Sequence, residues 1–384
     1  MSIVSIIILI IASVSLIVFL IIRNFLSRIK YSQIAIFSEG NQYSNTFLPI
    51  VKELIKRKVY FNYYTLDNSD ELLTIKSEYI TPLFLGSGAL GFLRFNNIKT
   101  KVLLSTTPNI GNKNFPLQRP ENAEYLVHIW HSISDIGYYR KGSLDNYDII
   151  LNVGDFQKKS IQEITKQRAT KIEEMVSVGL PYYDSFLRRF NLHSINQETI
   201  LIASSWGKKG LLKKYGHNIL RTLKNKKIII RPHPQSFYSE KKFIQEFKTK
   251  CIALPNVHWD ESKDPLNSFS KASLLISDTS SIRFDFSFLT FRPVITLKIN
   301  NDDLQEYECS CLKERWDEKA EKVLGSVIDE KNIQTLLFET DRLLNSFDER
   351  GSIQKLKRET LCTEGNSSKK IVDFILSKTN VIDN

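Results

Sequence analysis

Short apolar runs alternate with amphipathic helix-like stretches in two successive series along this chain, a pattern that limits it to parallel sheets built from βαβ units. In the first series IAIFSEGNQ (34–42) is an apolar strand ending in a polar, Gly-containing turn. FLPIVKELIKRK (47–58) then places Phe47, Ile50, Val51, Leu54 and Ile55 on one helical face, and VYFNYYTL (59–66) is the next strand. KVLLST (101–106), YLVHIW (125–130) and DIILNV (148–153) continue it. After a polar stretch, RRFNLHSINQET (188–199), come ILIAS (200–204), KIIIRP (227–232), SLLISD (273–278) and PVITLK (293–298), with helical SEKKFIQEFKTK (239–250) between. The carboxyl-terminal residues read as helices, NIQTLLFETDRLLNSF (332–347) among them. The expected division is an anchor at 1–30, domains at 31–190 and 191–345, and terminal helices at 346–384 packing back toward the first domain.

Open α/β sheets hold ligands at the carboxyl ends of their strands. Two strand ends in the second series suit an anion: IIIRPHP, with Arg231 and His233, and LLISDTSSIRFDF, with Asp278, Thr279, Ser280, Ser281 and Arg283. Hydroxyls, cations and the free amides of a helix start favour a phosphate over a neutral ligand. Either segment alone also fits a capped helix with a solvated arginine. Together they predict a nucleotide-diphosphate site.

With 384 residues the chain has room for two ordinary cores. A net charge of +11 points to acidic partners: nucleotide, phosphopolymer or anionic lipid. No compact RNA- or DNA-binding motif is present, so nucleic acid is not expected. Residues 3–22 carry no charge and are long enough to cross a bilayer; Arg23, Arg28 and Lys30 follow, which predicts a single-pass protein with its domains in the cytoplasm. Cys251, Cys309, Cys311 and Cys362 have neither zinc-site nor disulfide spacing, and free thiols, no metal and no cofactor are expected.

Several motifs carry two readings. GSGALG (86–91) is a literal GxGxxG, but it follows the first βαβ unit, no convincing helix succeeds it, and no acidic residue stands at the later position, so it is read as a turn. In YLVHIWHSISDIGYYRK (125–141) a strand ends at Trp130 and His131 and breaks into Ser132, Ser134, Asp135 and Gly137. His131 is placed to take a proton from a hydroxyl, while His128 is expected to pack. VGLPYYDSF (178–186) follows strand-like MVSVG and is a turn leading to a helix cap at Asp184 or Ser185. SSWGKKG (204–210) is a loop able to approach a pyrophosphate through Ser205, Trp206 and Gly207, or a merely solvated turn. The acidic loop NDDLQEYE (301–308) could hold ribose or acceptor hydroxyls, or be exposed.

The ordered set SEGNQYSNTFLPIVKEL, IWHS, DIILNVGDF, VGLPYYD, LIASSWG, IIIRPHP, LLISDTSSIRFDF and the acidic loop with Tyr307 resembles the CDP-glycerol glycerophosphotransferase family of teichoic-acid-type polymer synthesis, over most of residues 34–310. The resemblance implies an α/β fold of GT-B type, two Rossmann-like domains facing a cleft. It implies His131 as the base for the acceptor hydroxyl and His233 as its catalytic counterpart at the donor. Arg231, Asp278, Thr279, Ser280, Ser281, Ser205, Trp206 and Gly207 would bind the donor, and Glu39, Trp130 and Asp135 the acceptor. Ser132 stands where the family prefers Gly, and a membrane-spanning anchor is not usual in its polymerases.

The expected activity is transfer of glycerol phosphate, or a related alditol phosphate, from a CDP-linked donor to a lipid-linked or polymeric envelope acceptor, with release of CMP. The alternatives are a glycosyltransferase or nucleotide-sugar epimerase of the same fold using a UDP- or CMP-sugar, and a non-catalytic membrane-bound scaffold.

Overall fold

The computed structural model describes residues 29–379, apart from 171, 192–197, 209 and 300–303, together with residues 16 and 27. The apolar segment 3–22 lies outside the described residues except for Leu16. Among the described residues no helix is long and apolar enough to cross a membrane.

Two parallel sheets carry the fold. The first has strand order β3-β2-β1-β4-β5-β6-β7, formed by β1 (Ser32–Ser38), β2 (Phe61–Thr65), β3 (Ile80–Phe84), β4 (Lys99–Ser105), β5 (Asn122–Ile129), β6 (Ile149–Asn152) and β7 (Glu174–Ser177). The second runs β10-β9-β8-β11-β12-β13, from β8 (Thr199–Ala203), β9 (Lys227–Arg231), β10 (Val257–Trp259), β11 (Leu274–Ser277), β12 (Val294–Lys298) and β13 (Gly325–Asp329). Ile34, Ala35, Ile36 and Phe37 are consecutive and all buried, as a strand covered by helices on both faces requires.

Crossovers α1 (Ser44–Lys56), α2 (Gly88–Asn96), α3 (Asp155–Arg168) and α4 (Pro181–Arg189) belong to the first half. The second contains α5 (Leu211–Thr222), α6 (Lys241–Ile252), α7 (Ile282–Thr290) and α8 (Trp316–Leu324). The chain ends in α9 (Leu336–Ser346), α10 (Arg350–Thr360) and α11 (Ser367–Ser377). Ile371, Val372 and Ile375 of α11 are buried with Phe47, Ile50 and Val51 of α1 in the first sheet's core. Asp184, expected to cap its own helix, lies inside α4 and accepts from the Gly365 and Ser367 amides, each at 2.7 Å, fastening the start of α11.

Three edge strands, β3, β10 and β13, were not expected from the sequence. Each is half-exposed or short, so it lacks the continuous apolar run of a central strand. Pro82 sits in β3 because an edge strand has an N–H side that needs no partner. GSGALG is not a bare turn: Gly88 opens α2 directly after β3. A Cβ on Gly91 would lie 2.3 Å from the Gly86 carbonyl oxygen, so the glycines let the first turn of α2 close onto the loop that precedes it. They lie at the sheet's edge and do not line the cleft.

Candidate active site

The carboxyl ends of both sheets face a cleft made of two cavities, of about 640 Å³ and about 380 Å³. They meet at His131 and Ser132 from the first domain and Trp206, His233, Ser280 and Ser281 from the second, all of which line both. The larger extends past Tyr138 and Tyr139 to Lys298, Arg315 and Asp317. The smaller runs under the start of α1, lined by Gln42, Tyr43, Asn45 and Thr46, with Tyr182 and Asp285 opposite.

His131 follows the end of β5 and is held by its surroundings. Burial pushes its imidazole down to about 4, and the neighbouring His233 adds to the effect. Its Nδ1 is buried without a hydrogen-bond partner, which leaves Nε2 for the cleft. Tyr43 stands edge-on to the ring, with centroids 5.0 Å apart. The turn itself is pinned by Gln157, which accepts from the Val153 amide and donates to the Ser134 carbonyl, both at 2.7 Å. His128 is fully buried, its ring 5.3 Å from Trp130 and 5.0 Å from Tyr147, and burial lowers it to about 3.

Across the cleft, His233 leaves β9 through Pro232. Burial holds it at about 4 against the pull of the Asp278 and Glu240 carboxylates. Its Nδ1 accepts from the Gln235 amide at 3.1 Å, so the proton of the neutral ring belongs on Nε2. A neutral donor on one wall and an unpartnered imidazole on the other can together bind an anion and relieve a hydroxyl of its proton.

The remaining expected residues divide into those that line the cleft and those that shape it. Ser205, Trp206, Thr279, Ser280 and Ser281 line the larger cavity, and Trp206 is 51% exposed there. Asp278 also borders it, but its carboxylate is occupied by Ser205 N and Oγ, Leu211 N and Ser280 N. It ties together the loops after β8 and β11 in place of the direct donor contact expected. Gly207 does not line either cavity; at φ +96° it turns the loop behind Trp206, and its amide donates to Glu240 at 3.0 Å.

Two arginines expected to meet an anion are bound within the protein. Arg231 reaches the smaller cavity's wall, yet its guanidinium bonds Asp260 at 2.6 Å, the Ser262 hydroxyl at 3.1 Å and the Ser262 carbonyl at 2.7 Å. Arg283 is wholly buried, paired with Glu321 at 2.8 Å and donating to Thr296. A buried charge needs a partner, and each found one in its own domain.

The three residues expected at the acceptor line neither cavity. Trp130 is 1% exposed, stacked on Tyr139 at 5.0 Å, with its indole N–H on Asn152. Asp135 is buried, accepts from the Ile136 amide and the Ser160 hydroxyl, and is pushed up to about 6 by burial. Glu39, at the end of β1, is raised by burial and bonded to Tyr43, and it is Tyr43 that reaches the cavity. All three orient the wall that carries His131.

The acidic loop, where it is described, lines the larger cavity through Leu304 and Tyr307 and also braces the two domains. Glu308 is fully buried, accepting from Arg168 at 2.5 Å and the Gly142 amide at 2.9 Å. With the Arg140–Tyr307 bridge it stitches the second domain's loop to the first. Asp302 and Asp303 lie outside the described residues.

Sequence reasoning missed the far wall of the larger cavity. Tyr138 donates to Asp317 at 2.6 Å, Arg315 grips the same carboxylate at 2.6 Å, and Lys298 pairs with Glu321 at 2.8 Å. Lys298 ends an apolar strand, so the strand-end rule could have found it; Arg315 and Asp317 precede and begin a helix with no such signal. Asp285, the last acid of LLISDTSSIRFDF, lines the smaller cavity. It accepts from Tyr182 at 2.7 Å and is pushed up to about 7 by burial. The larger cavity is bordered by Asp278, Asp317, Glu318, Glu321 and Asp329 against Lys298 and Arg315, so the chain's positive excess is not concentrated there. Among the described residues no cluster of His, Cys, Asp and Glu is placed to hold a metal.

No family model and no curated protein matches this sequence. Solved structures do match in fold. The wall teichoic acid polymerase TagF superposes with a TM-score of 0.55 over 90% of this chain and 88% of its own, at 16% identity. The UDP-GlcNAc 2-epimerase of Methanocaldococcus jannaschii, in complex with UDP-GlcNAc and UDP, gives 0.56 over 91% and 100%, at 13% identity. MurG of Acinetobacter baumannii gives 0.52 over 90% and 100%, at 10% identity. The fold is therefore the GT-B type, α/β with two parallel sheets.

Proposed function

We propose that this protein is a membrane-anchored GT-B transferase that moves glycerol phosphate, or a related alditol phosphate, from a CDP-linked donor to a lipid-linked or polymeric envelope acceptor. One observation carries the reading: His131 and His233, from opposite domains, both stand at the junction of two cavities, so that two ligands can meet between them. Folds this distant do not choose the donor, since TagF and an epimerase overlay equally well. The ordered motifs IWHS, RPHP and DTSSIRFDF support the phosphotransferase over its rivals.

In this reading the acceptor oxygen attacks the β-phosphorus of the donor, the new O–P bond forms as the bond to CMP breaks, and CMP leaves with the negative charge. His131 Nε2 takes the acceptor proton. His233 Nε2–H, with the Ser280 and Ser281 hydroxyls, stabilises the diphosphate, and Trp206 offers its exposed face to the base. An imidazole held near 4 is a weak base in the empty cleft. An arriving diphosphate favours the protonated form and raises the basicity of both rings when it is needed. The segment 3–22 holds the domains at the cytoplasmic face.

The test is nucleotide release from CDP-glycerol, CDP-ribitol, UDP-sugars and CMP-sugars by solubilised protein, with crude membrane lipid as acceptor. CMP from CDP-glycerol, dependent on acceptor and on His131, is the expected result. UDP or UMP from a UDP-sugar would move the protein to the glycosyltransferases or epimerases, and silence with verified acceptors would make it a scaffold.

A further inference from the structure

The edge of the first sheet opposite the cleft carries a pattern that catalysis does not use. Phe61 pairs with Ile80 and Ser32 with Thr100, so Tyr60 stands level with Tyr79, and Tyr31 with Lys99, at the amino-terminal ends of β3, β2, β1 and β4. Tyr60 and Tyr31 are 63% and 60% exposed, and the Tyr60 and Tyr79 rings lie 5.1 Å apart. Lys30, Lys58, Lys76 and Lys99, all exposed, precede or open these same four strands. None of the four has an ion-pair partner among the described residues. Glu78 is the acidic residue beside them, bonded to Tyr79. At the start of β5, exposed Glu121 and Glu124 reverse the charge. The basic, aromatic stretch is thus confined to the strands around β1, the strand that the chain enters from its apolar segment 3–22.

Exposed tyrosines interleaved with unpaired lysines are the composition of a membrane interface, where rings sit among headgroups and ammonium groups meet anionic lipid. We propose that this edge lies on the surface of a bilayer containing anionic lipid. The proposal rests on the membrane-anchored reading above and adds an orientation to it. The eight residues of β5 separate this edge from His131, about 25 Å at ~3.3 Å per residue. The cleft therefore lies at the end of the first sheet farther from the bilayer, and a lipid-linked acceptor has to span that distance to reach His131.

The experiment is lysine acylation, read by mass spectrometry, on the full chain reconstituted in phosphatidylcholine vesicles with or without phosphatidylglycerol. Lys241 and Lys271, exposed on the second domain, are the internal reference. Several-fold protection of Lys58, Lys76 and Lys99 with phosphatidylglycerol, reversed by salt, is expected. Equal labelling in both vesicle types, on protein that floats with them, overturns the orientation while leaving the anchor intact. Failure to float with either vesicle overturns the membrane reading and this proposal together.

Discussion

Burial sets the chemistry of the histidine pair before any ligand arrives. With folded values near 4, both rings are neutral at neutral pH. Their contribution to stability is complete above the unfolded value of about 6.5 and is lost as pH falls through about 4. An NMR titration of the empty protein should place the His131 midpoint near 4, and a bound nucleoside diphosphate should move it upward; a midpoint near 6.5 in the empty protein would mean that the ring is open to water. His131→Ala should lower turnover by about 10²–10⁴-fold with unchanged circular dichroism, if the ring is a general base. Asp285 has the opposite sign. Its folded value, raised to about 7, makes its contribution complete below about 4 and lost as pH rises through 7. Asp285→Asn should remove that decline and gain about 2–4 kcal/mol over wild type near pH 8, read from urea unfolding. Arg231→Ala strips the partner from a pair that is 8% and 9% exposed, and should cost about 3–5 kcal/mol in the same measurement.

At the scale of elements, close contacts between main chains decide more than side-chain identity. A Cβ on Gly154, at the start of α3, would lie 1.9 Å from the Thr360 carbonyl oxygen at the end of α10. Gly154→Ala should therefore force α3 and α10 apart and destabilise the protein by about 2–3 kcal/mol, detectable as a lower urea midpoint. Central strands were legible because both faces are buried and their residues are apolar without interruption. The edge strands β3, β10 and β13 were not, because Pro82 or three residues such as Val257–Trp259 carry no such signal. The GxGxxG segment shows the converse: the motif was visible, but its use in bringing Gly91 against Gly86 depends on a helix docking that periodicity does not show.

Across the whole molecule, the two domains share a continuous core rather than touching only at the cleft. Phe156 of the first domain lies 4.1 Å from Trp316, which lies 4.8 Å from Phe284. The terminal helices close the same frame from the other side, so Val372→Asp, which buries a charge in the first sheet's core through α11, should unfold that domain and be read as insoluble or protease-sensitive protein. The sequence by itself determined the alternation of strands and helices, the strand ends that would border a ligand, and the histidines there, because these depend on periodicity and local order alone. Tertiary structure decided which charged groups remained available. Arg231, Arg283, Asp278 and Glu308 each met an opposite charge or a set of amides from a distant segment and became struts. Trp130 and Asp135 were drawn into the wall behind His131 for the same reason: a buried polar group must be satisfied, and the partner that satisfies it is chosen by the packing of the whole chain.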